Sequence, residues 1–122
     1  MNTLTFIFVL LVALEHLFIM YVEMFMSQTS FAQRAFEISS QFLSQKEAQV
    51  MMSNQGLYNG FIGAGIILTL FFIPTIAVKT TLFLFVGFVV VAAIWGALTA
   101  SKKILLVQGV PAIIALLFLI YK

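Results

Sequence analysis

The chain contains no cysteine, one histidine and very little charge, and each shortage narrows what it can be. Without cysteine there are no disulfides, no thiolate chemistry and no cysteine metal sites. One histidine leaves a metal set built on Glu15, His16 and Glu23 poorly supplied, so neither a metal nor another cofactor is expected. Charged residues make up 8% of the 122 positions, against about 25% in soluble domains, too few for a hydrated surface. The six basic residues form no cluster and carry no aromatic interleaving, so nucleic acid is not an expected partner. Glycine-rich phosphate loops, a serine nucleophile elbow and the zinc-protease helix motif are missing as well.

Apolar residues dominate instead, at 63% of the chain, and they lie in long blocks rather than on alternating faces. A spanning helix needs about 20 mostly apolar residues. Four stretches qualify in outline: residues 4–26, 57–73, 82–100 and 104–121. The first contains Glu15, His16 and Glu23 and has no basic residue before it, so it reads as a retained helix rather than a signal peptide. Pro74 closes the second, and Pro111 inside the fourth removes a backbone donor and predicts a kink. The short connections near 74–81 and 100–103 make the last three helices sequential antiparallel neighbours.

Residues 31–43 differ from the rest. Phe31, Ala35, Ile38 and Phe42 share one helical face, while Gln33, Arg34, Glu37, Ser40 and Gln41 fall opposite. This predicts an amphipathic helix lying in the membrane interface, too short to span. Ser30 with Gln33, and Ser44 with Glu47, match capping boxes, so the second long helix can begin near Gln45 and project beyond the lipid. The expectation is one all-α domain over 1–122, an integral membrane four-helix bundle with an interfacial helix between the first two spans. Loops one and three hold Arg34, Lys46, Lys102 and Lys103, while the other side holds only Lys79 and Lys122. That bias predicts a multi-pass protein of the cell membrane, with termini outside and loops one and three in the cytoplasm.

Polar residues inside such spans are costly, roughly 2.5–3.5 kcal/mol for a charge at the bilayer centre, and are not expected to face lipid. Glu15 and His16 sit at the middle of the first span, and Glu23 lies seven residues beyond His16, nearly on its face. Asn54, Gln55, Tyr58 and Asn59 open the second helix, and Thr99, Ser101 and Gln108 bracket the last loop. Antiparallel threading brings Glu23, the amide cluster and the last loop to one membrane side. The predicted site is therefore a funnel, polar at the loop-one face and ionisable at the bottom. Gly56, Gly60 and Ala64, and likewise Ala92, Gly96 and Ala100, form small-residue stripes that signal close helix packing.

The runs ALEHLFIMYVEMF, NQGLYNGFIGAG and GALTASKKILLVQGVPAIIAL together resemble the "domain of unknown function 1304" family of small membrane proteins, over almost the whole chain. The resemblance implies a compact four-helix membrane domain. It marks His16, Glu23, Asn54, Gln55, Gly56, Tyr58, Asn59, Gly60, Gly96, Thr99, Gln108 and Pro111 as its recurring positions, and it brings no activity with it. Three functions compete. The first is binding or proton-linked transport of a small amphipathic or cationic ligand, in a chain similar in outline, though not in motifs, to small multidrug-resistance exporters, which work as homodimers. The second is an intramembrane enzyme acting on a lipid or isoprenoid by Glu/His acid–base chemistry, as membrane sterol isomerases do by analogy. The third is a structural subunit without chemistry. An enzyme predicts a deep closed pocket. A transporter predicts polar access from both faces, or a dimer seam lined by Glu15. A scaffold predicts no cavity.

Overall fold

A computed structural model describes residues 1–121; Lys122, counted in the charge bias, lies outside the described residues. The described chain is entirely helical: α1 (Thr3–Phe25), α2 (Ser30–Phe36), α3 (Ser40–Leu43), α4 (Lys46–Phe72), α5 (Thr75–Thr99) and α6 (Lys102–Tyr121). Of these, α1, α4, α5 and α6 are long and apolar enough to cross a membrane. Their outward faces carry large apolar side chains such as Leu11, Leu14, Phe61, Leu84, Leu98 and Leu106, as a surface solvated by lipid tails requires.

Local chemistry explains where the helices start and stop. The Asn2 side chain caps α1 by accepting from Thr5 N–H at 2.8 Å. At 27 residues α4 measures about 40 Å, longer than the roughly 30 Å thickness of a bilayer's hydrocarbon layer. Pro74 turns the chain, and the Ala77 N–H bonds its carbonyl at 2.8 Å to start α5, seven residues earlier than the apolar block alone suggests. In α6 the irregularity expected at Pro111 takes the form of a π-helical turn over Leu105–Gly109, where Val110 N–H bonds the Leu105 carbonyl.

The interfacial segment departs from its expected single helix. Glu37 adopts a left-handed conformation (φ 55°, ψ 41°), ends α2, and separates it from α3. The Ile38 N–H reaches back to the Gln33 carbonyl at 3.1 Å, the closure that a left-handed cap provides. A non-glycine residue pays roughly 1–2 kcal/mol for this conformation, and the Glu37 carboxylate then reaches Lys103 at 3.5 Å. Both capping boxes are displaced as well. Thr29, not Ser30, caps α2, with its hydroxyl accepting from Ala32 N–H. Ser44 ends α3, its hydroxyl donating to the Gln41 carbonyl, while Gln45 holds the cap position of α4 without a side-chain bond.

Helix packing sets the site. Along α1, α4 presents Gly56, Gly60 and Gly63, all buried. A β-carbon at Gly63 would stand 2.7 Å from the Ala13 carbonyl oxygen, and one at Gly56 would stand 3.0 Å from the Glu23 β-carbon. Gly63 thus takes the place in the stripe expected of Ala64. On α5 the buried small residue is Ala93, close to Gly109 of α6. The apolar centre of the bundle is Val9, Val12, Ala13, Ile66, Leu82, Val86, Ala112 and Ala115.

Candidate functional site

Near the Pro74 turn α4 and α5 are in contact, and a β-carbon at Gly65 would run into the Phe85 ring. Towards loop one the same two helices part around a cavity of about 520 Å³. Its α4 wall is Met52, Gln55, Asn59 and Ile62; its α5 wall is Phe88, Val89, Ala92, Trp95, Gly96 and Ala100. His16 and Glu23 of α1 form the back, Ile104 and Gln108 of α6 a side, and Phe36 with Ile38 the cover. The stripe Ala92, Gly96, Ala100 therefore makes room for the cavity, although a β-carbon on Gly96 would also press on Ile104 at 3.0 Å.

Three of the polar wall groups, Glu23, Asn59 and His16, make defined hydrogen bonds. Glu23 is 6% exposed, and Asn59 Nδ2 donates to its Oε2 at 2.7 Å. This bond joins residues 36 apart in sequence and crosses the α1–α4 seam, which Gly56 and Gly60 hold tight. His16 is 3% exposed, and its Nδ1 lies 2.8 Å from the Val12 carbonyl oxygen, one turn back on its own helix. A carbonyl only accepts, so Nδ1 carries the proton of the neutral ring and Nε2 keeps the free lone pair. Among the described residues, Glu23 Oε1 and His16 Nε2 have no hydrogen-bond partner. Both belong to side chains that line the cavity.

The residues singled out in the sequence divide into three groups. His16, Glu23, Gln55, Asn59 and Gln108 line this one cavity. Glu15 stands apart: although adjacent to His16, it faces a smaller cavity of about 240 Å³ between α1, α2 and α6, and its Oε2 is buried without a hydrogen-bond partner. Phe36, Ile104 and Gln108 belong to both walls. Asn54, Tyr58 and Thr99 are exposed and line neither; the Thr99 hydroxyl donates to the Trp95 carbonyl at 2.8 Å. Sequence reasoning missed Phe88 and Trp95, because an apolar residue in a spanning helix reads alike whether it meets lipid or a cavity. Ser101, 7% exposed, belongs to the loop junction, where its hydroxyl accepts from Lys103 N–H at 3.2 Å.

The opposite end of the bundle holds a further cavity of about 400 Å³, lined by Met1, Thr5, Phe71, Lys79 and Phe118 among others. The apolar centre lies between the two ends.

These features define a class: a small helical bundle with four membrane-length helices and a polar-walled cavity between two that part towards one end. The chain belongs to the family described as "Protein of unknown function (DUF1304)", which matches residues 10–120. It is also 40% identical to the "Uncharacterized protein YpaA" of Lactococcus lactis subsp. lactis (strain IL1403) over 117 residues, 96% of this chain and 97% of that one. No solved structure matches the chain.

Proposed function

We propose that the protein binds a small amphipathic molecule, with a cationic or hydrogen-bond-donating head, in the cavity between α4 and α5. The observation that carries this reading is the pairing of unengaged acceptors with an apolar wall. Glu23 Oε1 and His16 Nε2 offer lone pairs at the back, while Phe88, Val89 and Trp95 offer a surface for an apolar body. About 520 Å³ lies within the range of small-molecule sites, roughly 300–1,000 Å³. A scaffold would leave no such space. The opening between α4 and α5 favours exchange with the lipid over sequestered acid–base chemistry. One chain builds the whole wall, so the reading needs no second subunit.

Proton-linked transport is the second reading, supported by the cavity at the opposite end beyond the apolar centre. It requires that centre to open, with His16 and Glu23 exchanging a proton as the ligand passes. The charge bias of loops one and three supports placing the larger cavity on the cytoplasmic side.

Trp95 is the only tryptophan and lines the cavity, so its fluorescence reports occupancy directly. Titration of the purified full chain with tetraphenylphosphonium should shift or quench that emission. Glu23→Gln keeps the size of the side chain but removes its negative charge, and should weaken the response about tenfold, as expected if about 1.4 kcal/mol of attraction to the cation is lost. Identical titrations of wild type and variant would remove the basis for this site. Movement of the same cation into reconstituted vesicles, driven by a pH gradient and lost in Glu23→Gln, separates transport from binding.

A further inference from the structure

Glu15 is left out of the cavity just described, and its surroundings call for a partner of their own. It lies near the middle of α1, at the floor of the cavity of about 240 Å³ covered by α2. Phe18, Val22, Phe31 and Val107 give that cavity an apolar lining, and Phe31 is fixed against Phe18 with ring centroids 6.1 Å apart. The carboxyl oxygen Oε2 is buried and accepts no hydrogen bond. In a span of this kind an unpaired polar atom is costly, because lipid tails supply no donor.

The neighbouring side chains do not fill the gap. His16 bonds the Val12 carbonyl and lines the other cavity. Among the described residues Lys103 is the one cation in the wall, and its Nζ is held by the Glu37 carboxylate at 3.5 Å and the Arg34 carbonyl at 3.3 Å. Gln108 stands on the partition between the two cavities and carries no charge. Glu15 therefore lines an apolar space in which the wall's cation is engaged elsewhere, and the complement that its carboxyl lacks is a compact cation that donates hydrogen bonds.

We infer that this cavity is a second, separate binding site, built for the primary ammonium head of a single-chain amphiphile taken up from the lipid. The head pairs with Glu15, and the alkyl chain follows Phe18 and Val22 towards Phe31. A space of about 240 Å³ falls below the usual range of drug-sized pockets and suits one chain, not two. Phe36, Ile104 and Gln108 are shared with the Glu23 cavity, but Glu15 lines only this one, so the two cavities have different acidic anchors.

The test is photo-crosslinking in reconstituted vesicles with dodecylamine carrying a diazirine on its chain, the labelled residues being read by mass spectrometry. Labelling is expected on α1 and α6 around Phe18, Val22 and Val107. It should fall about tenfold in Glu15→Gln and persist in Glu23→Gln. Ile19→Trp, which fills the cavity from its apolar side and leaves the carboxyl in place, should abolish it too, with helix content and elution volume unchanged. Equal labelling by the matching dodecanol probe would overturn the ammonium assignment. Labelling that survives both Glu15→Gln and Ile19→Trp would overturn the site. Loss in Glu23→Gln alone would return the amine to the first cavity.

Discussion

α4 packs against α1 along one face and against α5 along another, and the two seams are built differently. The α1 seam is closed along its length by Gly56, Gly60 and Gly63, which let Met20, Met24 and the Ala13 backbone approach the axis of α4. The α5 seam is closed only towards Pro74, where Phe85 sits on Gly65; beyond Ile62 it parts around the cavity. Both seams join antiparallel helices rich in small residues. Small residues allow close approach but do not compel it. In lipid the hydrophobic effect does not press helices together, so packing and hydrogen bonds decide which seam closes. The α1 seam has the Asn59–Glu23 bond and glycines at consecutive turns. The α5 seam has Gln55, Phe88 and Trp95, each exposed, at the level where it opens.

Breaking the closed seam should have the largest effect. Gly63→Leu places a β-carbon 2.7 Å from the Ala13 carbonyl oxygen, and a backbone atom cannot step aside as a side chain can. A loss of about 3 kcal/mol is expected from overpacking of this kind, visible as a fall in the thermal midpoint in detergent. A midpoint equal to wild type would show that the glycine seam is loose.

Filling the open seam sharpens the contrast. Ala92→Leu adds bulk where the structure has space, so stability should stay within about 0.5 kcal/mol of wild type, as at sites away from packed cores. The same variant should remove the Trp95 response to tetraphenylphosphonium. Marked destabilisation would mean that Ala92 is packed, and the open seam would no longer hold.

The smallest effect belongs to the loops that cover the open end. The Ser101 hydroxyl, and after it the Lys103 ammonium, hold the exposed Glu37 carboxyl below the usual carboxylate range. A lowered folded value adds stability above the ordinary glutamate range, and that contribution is lost as pH falls through the folded value. The thermal midpoint should therefore drop slightly on acidification, and Glu37→Gln should flatten this part of the profile. An unchanged acid profile in the variant would mean that the contact contributes nothing.

The membrane-length helices were legible because lipid imposes a strong rule: about 20 apolar residues with every backbone bond made internally. Their ends were less so. Residues 46–56 and 75–81 extend α4 and α5 beyond their apolar blocks, since a helix continues into the polar zone wherever its backbone bonds are satisfied. The break at Glu37 was not visible, because the amphipathic pattern of 31–43 fits a continuous helix and nothing in it marks a left-handed residue at position 37. Polar cost singled out His16, Glu23, Asn59, Gln55 and Gln108, which line one cavity. It also picked out Asn54, Tyr58 and Thr99, which face outward, because near the ends of a span a polar residue reaches water freely.

By itself the sequence determined the class of the chain: no cysteine chemistry, too little charge for a hydrated surface, and apolar blocks of spanning length. These follow from composition and transfer cost, which need no coordinates. The division of labour among its buried acids was decided only by tertiary structure. Glu15 and His16 are adjacent, yet the turn of about 100° per residue sends them to different cavities. Which side chain finds a partner there depends on the neighbouring helices: Glu23 meets Asn59 of α4, while the buried oxygen of Glu15 meets none.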